Sequence, residues 1–158
     1  MKKILTLFFL CALSTLLGCT TPLPKKENIS QEVASFTLPK LPDQGMAIIY
    51  VVRPSSLGTA VRFNVFLDNM EPASEMGYNR GGQYIYFMVK PGERKIFSVA
   101  ENTPELKINV KEGDIIYLQQ RVYPGFIMAR NDLLVLSEDE GKFRVKTLEL
   151  GTIIKTQK

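Results

Sequence analysis

The run Met46-Ala-Ile-Ile-Tyr-Val-Val-Arg53 is the stretch of the chain that decides its fold. Most of its apolar residues are β-branched, it has the length of one strand, and Gly45 and Pro54 bound it. An apolar run of this length without alternation is typical of a strand that is buried on both faces. We therefore predict that packed layers cover both sides of this strand.

Strand patterns continue through most of the remaining chain. After a short loop, apolar residues alternate with polar ones from Val61 to Leu67, which indicates a half-buried strand, and Asp68-Asn69 favours a turn. Further strands are predicted at residues 83–90, 94–100, 106–110, 115–122 and 133–136. Short strands separated by turn signals about every ten residues predict a mainly β protein, an antiparallel β-sandwich or a barrel.

The C-terminal segment fits two structures. Ser137-Glu-Asp-Glu140 has the S-x-x-E form of a capping box, which favours a short helix through about Leu148. Gly141 inside the segment and the alternation of Phe143, Val145 and Thr147 favour a strand instead. We predict the helix and keep the strand as the alternative.

The N-terminal segment has the pattern of an export signal. Two lysines precede an apolar run from Ile4 to Leu17, which is shorter than the roughly 20 residues that a transmembrane helix needs. Leu16-Leu17-Gly18-Cys19 resembles the lipobox of bacterial lipoproteins, although Leu17 stands where that family prefers a small or β-branched residue. The resemblance implies cleavage after Gly18 and acylation of Cys19 with palmitate-type chains; an ordinary signal or an uncleaved anchor is the alternative.

This interpretation divides the chain into a signal peptide at residues 1–18, a proline-rich tether at 19–44 and a β-sandwich domain at 45–158. Four prolines in the tether favour an extended path, with at most a short helical turn between residues 30 and 36. Thr20 replaces the aspartate that often signals retention at the inner membrane in this class of protein. We therefore expect an outer-membrane location on the periplasmic face.

The order of several motifs resembles a family of small bacterial lipoproteins, domain of unknown function 2846. Ala47-Ile-Ile-Tyr-Val-Val-Arg-Pro54 is similar to its opening A-x-I-Y-V-Y-R-P strand, and Val65-Phe-Leu-Asp-Asn69 to its V-x-V-D-G hairpin, with Asn69 in place of glycine. Gly82-Gln-Tyr84, Pro91-Gly92 and Gly113-Asp-Ile-Ile-Tyr117 resemble later signatures of the family. The resemblance covers residues 47–136 and implies a transthyretin-like or carboxypeptidase-regulatory-like β-sandwich without an established activity.

The composition argues against most catalytic chemistry. The chain has no histidine, and its two cysteines, Cys11 and Cys19, lie in or next to the signal, so the usual nucleophile-base pairs and metal ligands are missing. We expect no cofactor, no metal and no enzymatic activity. The alternative is a cell-wall glycan hydrolase that uses Asp68, Glu71 and Glu75 as paired carboxylates, although these residues are much more typical of a solvated turn.

Two segments carry residue types that are common at protein interfaces. They are Met76–Gly82 and Arg121–Arg130, and their candidate binding residues are Tyr78, Arg80, Arg121, Tyr123, Phe126, Met128 and Arg130. We favour the interpretation in which Tyr123, Phe126 and Met128 cap the sandwich core while the arginines solvate its end, and we keep a binding surface as the alternative.

These observations predict a non-enzymatic interaction or structural module. We expect it to be attached to the membrane through its N-terminal lipid and to bind an envelope protein. An accessory lipoprotein of a secretion or envelope-spanning apparatus is a more specific alternative. The formal net charge is only +4, and removal of Lys2 and Lys3 with the signal lowers it further, so we expect no nucleic-acid partner.

Overall fold

The computed structural model describes residues 25–156. A short 3-10 turn (Pro72–Ser74) accompanies two helices and ten strands in this part of the chain. In chain order the elements are α1 (Lys26–Val33), β1 (Ala47–Arg53), β2 (Phe63–Leu67), β3 (Glu75–Asn79), β4 (Gln83–Val89), β5 (Gly92–Val99), β6 (Glu105–Val110), β7 (Ile115–Tyr123), β8 (Arg130–Val135), α2 (Glu138–Thr147), β9 (Glu149–Leu150) and β10 (Thr152–Ile153).

The strands form two five-stranded sheets that pack face to face. The first sheet has the order β8-β7-β1-β4-β9, and the second has the order β10-β3-β2-β5-β6. Most neighbouring strands are antiparallel, but β1 is parallel to β7 and β4 is parallel to β9. The prediction of a mainly β sandwich with a short C-terminal helix is confirmed, and the first sheet is mixed.

Strand β1 lies in the middle of the first sheet, and every one of its residues is buried. Ala47, Ile49 and Val51 belong to the core between the two sheets. Tyr50 and the residues that alternate with that set belong to a second apolar cluster on the other face. The predicted burial of β1 on both faces is therefore confirmed.

The second cluster is covered by residues 36–46 and by α2, and α1 packs against α2. Ile29, Val33 and Leu38 are buried, and the Tyr50 hydroxyl donates a 2.5 Å hydrogen bond to the backbone oxygen of Lys40. The described part of the predicted tether, residues 25–44, thus packs against the domain, and its helix spans residues 26–33 where a helical turn was predicted at residues 30–36. Phe36 and Leu38 supply the apolar side chains that cover the outer face of β1 and its neighbours.

Helix α2 resolves the ambiguity of the C-terminal segment. Ser137 and Glu140 form both halves of the capping box, as the sequence predicts. Gly141 faces the sheet, where a Cβ would lie 2.0 Å from the Tyr117 ring. Only a residue without a side chain lets α2 lie this close to β7, which is why a glycine interrupts the helical sequence.

Strand β3 was not predicted, since residues 76–82 were expected to form a loop. Met76 is fully buried in the core between the sheets, and β3 pairs with β2 and β10. Glu75 and Asn79 at its ends are polar and Gly77 lies in its middle, so the sequence shows no alternation of apolar and polar residues. Residues 76–79 of this segment therefore lie in a strand and not in a loop, and Met76 is buried, while binding by Tyr78 and Arg80 stays a prediction.

Arg53 ends β1 with a fully buried guanidinium. Its Nη1 donates to the backbone oxygens of Val61 and Asn79, and its Nη2 donates to those of Leu57 and Gly58, at 2.5 to 3.3 Å. The guanidinium also lies 3.7 Å from the centre of the Phe63 ring. Burial lowers the pKa of Arg53 to about 10. Within the described residues no carboxylate pairs with Arg53. The hydrogen bonds of its guanidinium therefore all go to backbone carbonyl groups, and three of these lie in the β1–β2 connection.

A buried polar network links the two sheets beside Arg53. The Asn79 side chain donates to the backbone oxygen of Val51 and to the Gln120 side chain, and Gln120 donates to the Ser98 hydroxyl at 2.9 Å. Asn131 donates to the backbone oxygen of Ser98. The network therefore joins β1, β3, β5, β7 and β8 at the end of the sandwich where Arg53 lies.

We predict that Arg53→Lys destabilises the protein by about 3 to 5 kcal/mol, because one ammonium cannot bond four carbonyl groups and stays charged in a buried site. Chemical denaturation should show a lower midpoint with an unchanged slope. Lys95→Arg, which keeps an exposed positive charge on β5, is the control. An Arg53→Lys protein within 1 kcal/mol of the parent would contradict the role assigned to the guanidinium.

Candidate functional site

The connection between β7 and β8, residues 124–129, exposes apolar side chains at the Arg53 end of the sandwich. We call it the Phe126 loop. Phe126 is 97% exposed and Ile127 is 84% exposed, and Tyr123 and Met128 are also classed as exposed. The favoured interpretation, in which Tyr123, Phe126 and Met128 cap the core, is therefore wrong. The buried polar network lies at this end of the core, and the three side chains lie outside it in solvent.

A single carboxylate holds the backbone of the Phe126 loop. Glu101, in the β5–β6 connection, accepts hydrogen bonds from the backbone N–H groups of Phe126, Ile127 and Met128 at 3.0, 2.7 and 2.8 Å. These three bonds lower the pKa of Glu101 to about 2. The carboxylate therefore stays ionised at any physiological pH, and it fixes three successive residues that carry exposed side chains.

Gly125 makes the tight path of the loop possible. A Cβ at this position would lie 2.0 Å from the backbone oxygen of Met128 and 2.8 Å from the Glu101 carboxylate. The backbone of Glu101 also donates to the backbone oxygen of Ala129, and Ala129 is buried. The exposed side chains are thus carried by a backbone that is anchored at several points.

Arg121 and Tyr123 flank the loop on the outer face of the first sheet. Arg121 forms a two-point ion pair with Asp132 at 2.8 and 2.5 Å, and the Tyr123 hydroxyl lies 3.2 Å from the same carboxylate. Hydrogen bonding to Asp132 raises the pKa of Arg121. The three residues are therefore fixed relative to one another, while Arg130 is exposed at the start of β8.

Tyr78 and Arg80 belong to a separate surface. Arg62 and Arg80 lie over the Tyr78 ring at 5.3 and 5.4 Å, and hydrogen bonds from Thr152 and then Arg80 lower the pKa of Tyr78. Tyr78 precedes the buried Asn79 and so points to the outer face of the second sheet. Arg121 follows the buried Gln120 and points to the outer face of the first. The structure does not bring the two predicted groups together.

The predicted carboxylates serve the turn that they occupy. Asp68 has a positive φ of 67°, pairs with Arg94 at 3.2 Å and accepts from the backbone N–H of Lys95. Glu75 accepts from the Asn64 side chain at 2.5 Å, and Glu71 lies exposed beside them. Within residues 25–156, no three His, Cys, Asp or Glu side chains are grouped so that they could hold a metal ion.

The predicted cleavage and acylation sites, Gly18 and Cys19, lie outside the described residues. In the part of the chain that is described, neither helix has the length and apolar character required to cross a bilayer.

Comparison with known proteins gives one informative similarity. A protein of Haemophilus influenzae, described as an uncharacterized protein, is 26% identical over 111 residues, which is 70% of this chain and 64% of that protein. The chain thus spans less than two thirds of the length of this relative. No family model matches the chain, and no solved structure matches it.

Sequence reasoning did not find Glu101 or Arg144. Glu101 sits in a polar turn, and nothing in the local sequence indicates that it reaches three backbone groups 25 to 27 positions away. Arg144 had a detectable signal, because it shares one helix face with Gly141, Val145 and Leu148. That spacing places a charged residue on the face of α2 that packs on the sheet.

We predict that Glu101→Gln increases amide hydrogen exchange at Phe126, Ile127 and Met128 without unfolding the sandwich, since a neutral amide is a weaker acceptor than a carboxylate. Glu105→Gln on β6 is the control and should leave these amides unchanged. In the parent protein, the depressed pKa of Glu101 means that the loop keeps its protection above about pH 4.3 and loses it as the pH falls towards 2. Protection that is already lost at pH 5 would contradict this assignment.

Proposed function

We propose that the protein is a lipid-anchored module of the bacterial envelope that binds another protein through the Phe126 loop. The anchor is the acylated Cys19 implied by the lipobox resemblance, and the location is the periplasmic face of the outer membrane. The observation that carries the binding part of this proposal is the exposure of Phe126 and Ile127 on a backbone held by Glu101.

The exposed apolar residues have a cost that favours a binding role. Burying a side chain of the size of phenylalanine or isoleucine contributes about 1.5 to 3 kcal/mol, and neither side chain contributes this to folding here. Contiguous exposed apolar surface on a soluble domain marks interaction sites more often than scattered single residues do. The loop is therefore suited to serve as the central contact of an interface.

The fixed backbone lowers the cost of association. A flexible loop loses conformational entropy when it binds, whereas a loop that is already ordered retains most of its binding energy. Glu101 and the packing of Gly125 provide this order before any partner arrives. Tyr123 and Arg130 flank the loop with residue types that are common at interface hot spots.

The adjacent edge strand can extend the contact area. Strand β8 is at one edge of the first sheet, and Leu134 and Val135 on it are exposed. A stable interface buries about 800 Å² on each partner, which is more than one loop supplies. Strand β8 and the loop that precedes it together offer a continuous margin of the molecule for a protein surface.

An acyl anchor would strengthen such binding by confinement. Attachment to the same membrane as the partner raises the effective concentration of both proteins, so a modest contact is sufficient.

We expect a photoreactive residue at position 126 of the full-length protein to crosslink one specific envelope protein in intact cells. A photoreactive residue at position 70 is the control, because Met70 is also exposed and apolar but lies at the opposite end of the sandwich. Ile127→Ser should reduce the crosslink at position 126 by at least about tenfold, the loss that corresponds to removing one hot-spot contact. Equal crosslinking from positions 126 and 70, or none from either, would contradict the proposal.

The anchor has a separate test. Cells fed with radiolabelled palmitate should label the full-length protein, and Cys19→Ala should abolish the label and release the protein from the membrane fraction. A labelled Cys19→Ala protein, or an unlabelled parent, would contradict the acylation while leaving the role of the Phe126 loop intact.

A further inference from the structure

A small cavity lies on the outer face of the first sheet, beside the C-terminal half of α2. Its volume is about 240 Å³, and it is lined by Pro54, Ser55, Gln119, Gln120, Arg121, Val122, Tyr123 and Arg144. Pockets for drug-sized ligands usually measure roughly 300 to 1,000 Å³, so this cavity fits one small group and not an extended molecule. It is distinct from the apolar tip of the Phe126 loop.

Arg144 is the unusual residue of this cavity. It is only 6% exposed, and its Nε is buried without a hydrogen-bond partner among the described residues. No described carboxylate forms an ion pair with it. Burial lowers the pKa of Arg144. A buried guanidinium without such partners is costly, since buried charges in proteins are normally paired.

Arg53 shows how this protein satisfies a buried arginine when the role is structural. Four backbone oxygens accept hydrogen bonds from Arg53, and the Phe63 ring covers its guanidinium. Arg144 is 6% exposed and has no such acceptors, whereas Arg53, which is fully buried, leaves only its Nε without a partner. The difference between the two arginines indicates that the acceptor for Arg144 is supplied from outside the chain, through the cavity.

The other charged residues near the cavity already have hydrogen-bond or ion-pair partners. Asp132 is bound by Arg121 and lies within hydrogen-bond distance of the Tyr123 hydroxyl. Glu140 accepts hydrogen bonds from Ser137 in the capping box, and its negative charge still opposes the lowering of the Arg144 pKa by burial, although the two side chains form no ion pair. Arg121 is neutralised by its own ion pair. Arg144 is therefore the cation of the cavity lining that forms no ion pair with a described residue, and one negative group on a ligand would supply that pair.

We propose that the Arg144 cavity binds the carboxylate of a compact ligand, either a free amino acid or the C-terminal residue of a peptide. One carboxylate carries the single negative charge that Arg144 lacks, and its planar shape suits a guanidinium. A phosphate dianion would leave a charge uncompensated, because Arg121 is already paired. Pro54, Val122 and the Tyr123 ring supply apolar walls for the group that carries the carboxylate.

The test is a titration of the full-length protein in detergent micelles, followed through the NMR signal of the Arg144 Nε–H group. The probes are trialanine, trialanine amide, free alanine and inorganic phosphate. We expect trialanine or alanine to shift the Arg144 signal saturably, and trialanine amide to bind at least about tenfold more weakly than trialanine when the peptide is the ligand. Tighter binding of trialanine than of alanine identifies a peptide terminus, and the reverse identifies a free amino acid.

Variants separate binding from folding. Arg144→Met should abolish binding while keeping or raising the midpoint of unfolding, since it replaces an uncompensated buried charge with an apolar side chain of similar length. Lys142→Gln removes a charge from the same helix outside the cavity and should bind as the parent does. The comparison of acid and amide on the parent protein stays decisive if Arg144→Met does not fold.

Three results would overturn the proposal. They are the absence of a saturable shift with either carboxylate probe, binding of trialanine amide that is as tight as that of the tighter-binding carboxylate probe, and phosphate binding that is tighter than that of both carboxylates. Unchanged carboxylate binding in a folded Arg144→Met protein would also overturn it.

Discussion

The burial of β1 on both faces is the constraint on which the rest of the structure depends. One set of its side chains packs against the second sheet, and the other set needs a cover on the outside of the first. Helix α2 and residues 36–46 supply that cover. The protein is therefore a two-sheet sandwich with a third layer, and the third layer brings Arg144 against β7.

The Arg53 end of the sandwich concentrates polar groups that the core would otherwise exclude. Arg53 and the network around Asn79 and Gln120 satisfy backbone and side-chain groups where the sheets meet the connecting loops. Because polar contacts close this end of the core, the apolar residues of the Phe126 loop are not required there. They remain in solvent on a backbone that Glu101 orders.

Local patterns in the sequence predict the strands because period-2 alternation and turn residues are local signals. Asp68, Gly92 and the capping box at Ser137 are found where those signals place them. Long-range contacts carry no such signal, which explains why Glu101 and the packing of residues 25–44 were not predicted. The residue types of the Phe126 loop indicated an interface, but their exposure follows only from the buried network beneath them. Strand β3 was missed because Met76 is its one large buried apolar side chain and Gly77 is a residue that strands disfavour.

The Phe126 loop is ordered before any partner binds, because Glu101 holds its backbone. Backbone ¹⁵N relaxation of the free protein measures this order directly. We expect order parameters of about 0.85 for the amides of Phe126, Ile127 and Met128, equal to those of β7, since a rigid backbone gives such values. Values below about 0.6 at these three residues would mean that the loop is flexible on the nanosecond timescale, and would contradict the account.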